Sequence, residues 1–127
     1  MTVQISAVTI GVEDLKRSKQ FYEGLGCRVD QDHPGFVSFK MGDGSTSLSL
    51  YARSALAADA GVDQDGSGFT GVVFSYIVAA AEQVDEVLAK AERGGGTVVR
   101  PAQSAQWGGY FGHFSDPDGY LWKVASS

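Results

Sequence analysis

The sequence predicts an α+β fold built from two βαβββ modules, each a cupped half-barrel sheet with its helix on the outer face. Three observations predict it. The order strand, helix, strand, strand, strand occurs twice in one domain of 127 residues, over 1–53 and again over 68–127, with 54–67 as a linker. The 17 glycines against 3 prolines supply tight turns between short strands. A half-chain module buries too little apolar area to stand alone, so two must pack together, within one chain or between chains.

The elements follow in order. Val3 to Val12 alternates and is rich in Val, Ile and Thr, the pattern of a strand. Asp14 sits at an N-cap position, where a carboxylate accepts from first-turn N–H groups. Leu15, Ser18, Phe21, Tyr22 and Leu25 then recur at helical spacing, and Gly24 and Gly26 end the helix. Arg28 to Asp30, Gly35 to Met41 and Thr46 to Arg53 read as strands, the last two joined by the hairpin signal Gly42-Asp43-Gly44. Ala55 to Ala60 suits a short helix, and the acidic, glycine-rich stretch after it reads as linker. Phe69 to Val78 opens the second module as a strand. Ala80 to Arg93 is a helix with Val84, Val87, Leu88 and Ala91 on one stripe and Glu82, Asp85, Glu86, Lys90 and Glu92 on the other. Thr97 to Arg100, Tyr110 to Ser115 and Leu121 to Ala125 are the remaining strands, with Asp116-Pro117-Asp118-Gly119 as the last turn.

Composition excludes several classes. With 43% hydrophobic and 20% charged residues the chain is not a disordered one. A net charge of −5 repels phosphate backbones and anionic lipid, so neither nucleic acid nor a membrane is an expected partner. The longest nearly apolar run, Val72 to Ala81, is half of the roughly 20 residues that a span requires. Met1 to Ser6 lacks the features of a signal peptide, and the single cysteine, Cys27, cannot form an intramolecular disulfide. Both point to the cytoplasm, with Cys27 as a small core residue.

Three stretches carry a family resemblance. They are Val8-Thr9-Ile10-Gly11-Val12-Glu13-Asp14-Leu15 running on to Phe21-Tyr22 and Leu25-Gly26, the helix Ala80 to Arg93 with Pro101-Ala102, and Trp107-Gly108-Gly109-Tyr110-Phe111 with Asp116 to Trp122. In this order the chain resembles the vicinal oxygen chelate superfamily of glyoxalases, bleomycin-resistance proteins, fosfomycin-resistance enzymes and extradiol dioxygenases. The resemblance implies a homodimer, a small-molecule site in the cup and, in the metalloenzymes, a divalent cation held by His, Glu, His and Glu from four inner strands. Matched onto this chain, those positions are Ala7, Ser49 (or Ser47), Gly71 and Lys123. A methyl, a hydroxyl, a bare backbone and an ammonium are not a ligand set, so no metal or other cofactor is expected.

Other residues are candidates for lining the cup. Period-2 alternation puts His113 on one face with Phe111 and Ser115, and the resemblance points His113 and Phe111 inward. His113 is either a general base or a histidine hydrogen-bonded among core aromatics. Lys123 either pairs an anionic group or extends to the mouth of the cup. Trp107 lies in a glycine-rich stretch suited to a lid, and Phe39, Tyr51 and Tyr76 are further aromatic lining candidates beside Ser49. The leading expectation is metal-free binding of an apolar or aromatic small molecule. The alternatives are a metal-dependent glyoxalase-type lyase, isomerase or dioxygenase, and a metal-independent enzyme with His113 as base and Lys123 stabilising an oxyanion.

Overall fold

The helices stand where the cap and stripe residues require. A computed structural model describes residues 5–60, 63–66, 70, 72–106 and 108–127 of the chain. It divides into two units, Met1–Gly66 and Ser67–Ser127. Each holds one open four-stranded mixed sheet with a helix packed on one face, so the fold is the α+β duplication of βαβββ modules.

In the first unit, β1 (Ala7–Val12) pairs in parallel with β4 (Thr46–Ala52), and β3 (Phe36–Met41) and β2 (Arg28–His33) continue the sheet antiparallel in the order β1-β4-β3-β2. Helix α1 (Leu15–Leu25) is opened by Asp14, whose carboxylate accepts from Arg17 N at 3.1 Å. It closes with Gly26 N donating to Glu23 O and Cys27 N donating to Tyr22 O, both at 3.0 Å. That paired closure needs the left-handed φ of 110° that Gly26 adopts without steric cost. The helix buries Ser18, Phe21 and Tyr22 against Ile10, Val37, Phe39, Leu48 and Leu50. Phe39 is wholly buried, with its ring 5.8 Å from that of Tyr22. A short helix α2 (Arg53–Ala60) follows β4 directly and packs beside β1, starting two residues before Ala55, the start expected from the sequence.

β2 also runs three residues beyond Asp30, where the sequence pattern ends the strand. The ladder shifts register between Val29 and Gln31 and then continues to His33, so the loop collapses to the two-residue turn Pro34-Gly35. His33 is thereby the last residue of β2, its ring stacked at 11° on Phe36.

The second unit repeats the plan. β5 (Val73–Ile77) is parallel to β8 (Leu121–Ser126), followed by β7 (Tyr110–Ser115) and β6 (Thr97–Ser104) in the order β5-β8-β7-β6. Helix α3 (Ala81–Arg93) has alanine at its N-cap, and Gln83 compensates by reaching back, its Oε1 accepting from Ala79 N at 2.9 Å and Ala80 N at 3.0 Å. Val84, Leu88 and Ala91 are buried against the sheet face that carries Phe114, Trp122 and Val124. The Phe114 and Trp122 rings stack at 4°, and Phe74 lies 5.0 Å from Trp122. Tyr110 ties β7 to α3 through a 2.8 Å hydrogen bond to Asp85. Among the described residues no helix is long and apolar enough to cross a membrane.

The turn before β8 is organised by a buried carboxylate. Asp116 Oδ1 accepts from Asp118 N and Tyr120 N, each at 2.9 Å, at a residue only 3% exposed. A hydrogen bond to a charged group contributes about 1.5–3 kcal/mol. Asp116→Ala is therefore expected to cost about 2–4 kcal/mol of stability, read as a lower denaturant midpoint, with Asp116→Asn recovering part of it. An unchanged midpoint for the alanine variant would contradict this role.

Candidate functional site

One face of each sheet is covered by its helix, and the other face carries the chemistry. In the first unit the uncovered face of β1, β4 and β3 presents Thr9, Ser49 and Ser38 side by side. On the next rung Tyr51 and Phe36 lie 5.0 Å apart, with His33 beyond Phe36. This face is an aromatic strip beside a strip of hydroxyls. Ser49 and Tyr51 therefore stand on it, while Phe39 points the other way into the core under α1.

The corresponding face of the second sheet is cationic. Ser75, Lys123, His113 and Arg100 are successive cross-strand partners over β5, β8, β7 and β6, so they form one row across the sheet. The adjacent row is Ile77, Ala125, Phe111 and Gln103. Both cations lean over Phe111. The Arg100 guanidinium carbon lies 4.8 Å and Lys123 Nζ 5.1 Å from the ring centroid, in reach of the negative face of the π-system. The His113 ring meets Phe111 edge-on at 5.9 Å. With its amide oxygen turned to the guanidinium, Gln103 accepts from Arg100 Nε at 2.9 Å and from Nη2, fixing the fork.

Arg100 reaches this row only because β6 is irregular. The strand extends past Arg100 through Pro101 to Ser104, and its register with β7 shifts once between Val98 and Arg100 and again between Arg100 and Gln103. Regular alternation from Val98, which pairs with Phe114 on the helix side, would turn Arg100 toward α3 as well. The extra residue returns it to the uncovered face. Pro101 is tolerated because β6 is an edge strand. Gly112 makes the crowding possible, since a Cβ there would lie 2.7 Å from Leu88 Cδ1, 3.1 Å from Arg100 O and 3.2 Å from Ala102 Cα.

His113 is the pH-responsive member of the row. Burial, then the charges of Lys123 and Arg100, hold its pKa below the ordinary 6.5. It is neutral at pH 7, and its Nδ1 is buried with no hydrogen-bond partner among the described residues. An unfolded histidine titrates near 6.5, so unfolding is favoured by proton uptake only below that pH. The stability from neutral His113 is complete above about 6.5 and is lost as pH falls through the lower folded value. The melting temperature of the native protein is expected to drop more steeply from pH 7 to pH 5 than that of His113→Gln, and parallel profiles would contradict this.

The residues present do not fit a divalent cation. Lys123 presents an ammonium, its β5 partner Ser75 is a hydroxyl, and Arg100 and Lys123 flank His113. At about 4 Å, two like unit charges repel by about 4 kcal/mol at an effective dielectric of 20. Ala7 pairs with Ser47 and Ser49 with Thr9, which offer only a methyl and hydroxyls. Among the described residues no three His, Cys, Asp or Glu side chains come together. Gly71 and the expected lid residue Trp107 lie outside the described residues.

The structure thus brings Phe111, His113 and Lys123 together and adds Arg100 and Gln103, which the sequence reading missed. Tyr76 pairs with Val124 and so falls on the helix side of its sheet, at the edge and 48% exposed. Cys27 is half-buried in the first unit, where burial pushes its thiol up to about 11 and leaves it inert as a nucleophile at neutral pH.

Comparison with known proteins agrees with this fold. A family model described as the Glyoxalase/Bleomycin resistance protein/Dioxygenase superfamily matches residues 4–124. A glyoxalase-related enzyme from Fulvimarina pelagi is 29% identical, with 98% of this chain and 88% of that one covered and a TM-score of 0.89. A hypothetical protein from S. aureus is 25% identical over 100% of this chain and 95% of that one, with a TM-score of 0.87. A lactoylglutathione lyase from Agrobacterium tumefaciens shares the fold at 22% identity, covering 100% of this chain and 96% of that one with a TM-score of 0.73. No curated protein matches the chain.

Proposed function

The chain belongs to the Glyoxalase/Bleomycin resistance protein/Dioxygenase superfamily, and from that premise we propose that it binds an apolar or aromatic small molecule on the uncovered face of its second sheet without a divalent metal. The observation that carries this reading is Lys123, an ammonium at the position the resemblance matches to an anionic ligand, with Ser75, His113 and the Arg100 guanidinium in the same row. Val73 and Ile77, exposed on β5 of the same sheet, supply apolar surface for the ligand's body. The working unit in this reading is a homodimer, a particle of twice 13.4 kDa in solution, and its place is the cytoplasm.

Thermal-shift screening of planar apolar compounds in the presence of EDTA tests the proposal. A ligand at 100 times its Kd adds about 2.7 kcal/mol, a shift of several degrees. Hits that persist in EDTA support metal-free binding. Stabilisation that appears only when a divalent cation is added overturns it.

A second reading is favoured by one specific observation, the buried Nδ1 of a neutral His113, which has no hydrogen-bond partner among the described residues. A neutral imidazole beside two cations is equipped to take a proton from a bound substrate, while Lys123 and Arg100 stabilise the oxyanion that results. If a bound compound turns over in EDTA, His113→Ala must lose that rate. Full rate in the variant removes the general base.

A further inference from the structure

We propose that the molecule taken by the second sheet is an apolar carboxylate, its carboxylate held between the Arg100 guanidinium and the Lys123 ammonium and its hydrocarbon body lying toward Ile77 and Val73 on β5. The inference rests on the reading above, that this face binds a small molecule, and adds the charge and polarity of that molecule.

Four observations lead to it. The chain as a whole carries −5, yet this face gathers two permanent cations in one row, on either side of a neutral histidine. Both cations converge on the same ring, at 4.8 and 5.1 Å from the Phe111 centroid, so they gather around one point of the sheet and do not extend along separate edges. Arg100 is already oriented by the neutral Gln103, and among the described residues no ion pair involves Arg100. A planar, fixed guanidinium matches a planar carboxylate in two parallel hydrogen bonds. His113 stands between the two cations in the row, its buried Nδ1 given no hydrogen-bond partner by the described residues.

The other end of the face is apolar. Val73 and Ile77, the β5 partners of Leu121 and Ala125, share the face with Lys123 and are 40% and 70% exposed. β5 lies one strand from Lys123, a spacing of about 4.8 Å, so a ligand of one or two rings reaches from the cations to these side chains. Among the described residues of this unit the one helix, α3, packs on the opposite face, so its N-terminus does not point at the cationic row. A strongly hydrated phosphate would find no helix N-terminus at the row among the described residues. An amphipathic carboxylate satisfies both ends of the face.

The test compares 1-naphthoate with its neutral isostere 1-naphthamide by isothermal titration in EDTA, at low and high salt. Naphthoate is expected to bind at least tenfold more tightly than the amide and to weaken with salt. Arg100→Met and Lys123→Met are each expected to cost naphthoate tenfold or more while leaving the amide unchanged, and Lys90→Met on α3 is expected to change neither. Equal affinity for acid and amide overturns the carboxylate inference while leaving small-molecule binding intact. So does naphthoate binding that both methionine variants leave unaltered, or its displacement by an equal concentration of inorganic phosphate. Failure of both compounds, together with an empty thermal-shift screen, overturns this inference and the underlying reading together.

Discussion

Gly112→Ala is expected to destabilise the protein by about 1–3 kcal/mol and lower its melting temperature by several degrees, although the change adds a single methyl. The new Cβ would meet Leu88 Cδ1 at 2.7 Å, and that side chain can rotate away. It would also meet Arg100 O at 3.1 Å and Ala102 Cα at 3.2 Å, which are backbone atoms of the irregular part of β6 and move only if the strand moves. The cost is therefore paired with a functional effect. Displacing β6 carries Arg100 out of the row it shares with His113, so ligand affinity should fall along with stability. Gly24→Ala provides the contrast. Gly24 sits in α1 with nothing within 4 Å of the place a methyl would take, and there the same substitution is expected to be neutral or to stabilise by up to about 1 kcal/mol. Equal melting temperatures for native protein and Gly112→Ala would show that β6 does not depend on this close approach.

Lys123→Glu is expected to cost the proposed anionic ligand at least about 100-fold in affinity, or about 2.8 kcal/mol at 1.4 kcal/mol per tenfold. The substitution removes an attraction and installs a repulsion. Each is worth up to about 4 kcal/mol for unit charges at about 4 Å and an effective dielectric of 20, before solvent screening reduces it. The fold should survive, because Lys123 lies on the uncovered face while Trp122 and Val124 on either side carry the packing under α3. The variant also has a signature independent of ligand. A carboxylate in place of the ammonium removes one of the charges that depress His113, so the imidazole should titrate at higher pH, as read from its ring proton resonances. Unchanged affinity with a shifted histidine would separate the electrostatics of the row, which would stand, from its role in binding, which would not.

The duplicated strand–helix–strand–strand–strand order was legible because each signal is local. Asp14 and Gly26 bracket α1 through hydrogen bonds to residues three to five positions away, and the α3 stripe buries Val84, Leu88 and Ala91 at a single period. His113 and Lys123 were legible as one face because β7 and β8 pair without interruption from Tyr110–Ser126 to Ser115–Leu121. Arg100 was not, since one extra residue in β6 reverses its side, and alternation counts residues without seeing bulges. Pro101 inside a strand and Gly112 opposite it were the available signals, a residue that donates no ladder bond facing one with no side chain. Phe39 and Phe36 illustrate a second limit. Both are aromatic and lie in one strand, and only the polar Ser38 and Lys40 mark which side Phe36 shares. In β5, Val-Phe-Ser-Tyr-Ile has apolar residues on both faces, so period-2 reasoning had no polar side from which to place Tyr76.

Metal content decides the central point. Protein purified without chelator, incubated with zinc, manganese, iron(II) or nickel and passed through gel filtration, is expected to retain well under one equivalent of any of them, because the positions matched to the ligands hold a methyl, a hydroxyl, a bare backbone and an ammonium, the last in one row with the Arg100 guanidinium. One equivalent per chain that survives filtration and is lost on EDTA treatment would contradict the account and make a metal-dependent lyase or dioxygenase the better description.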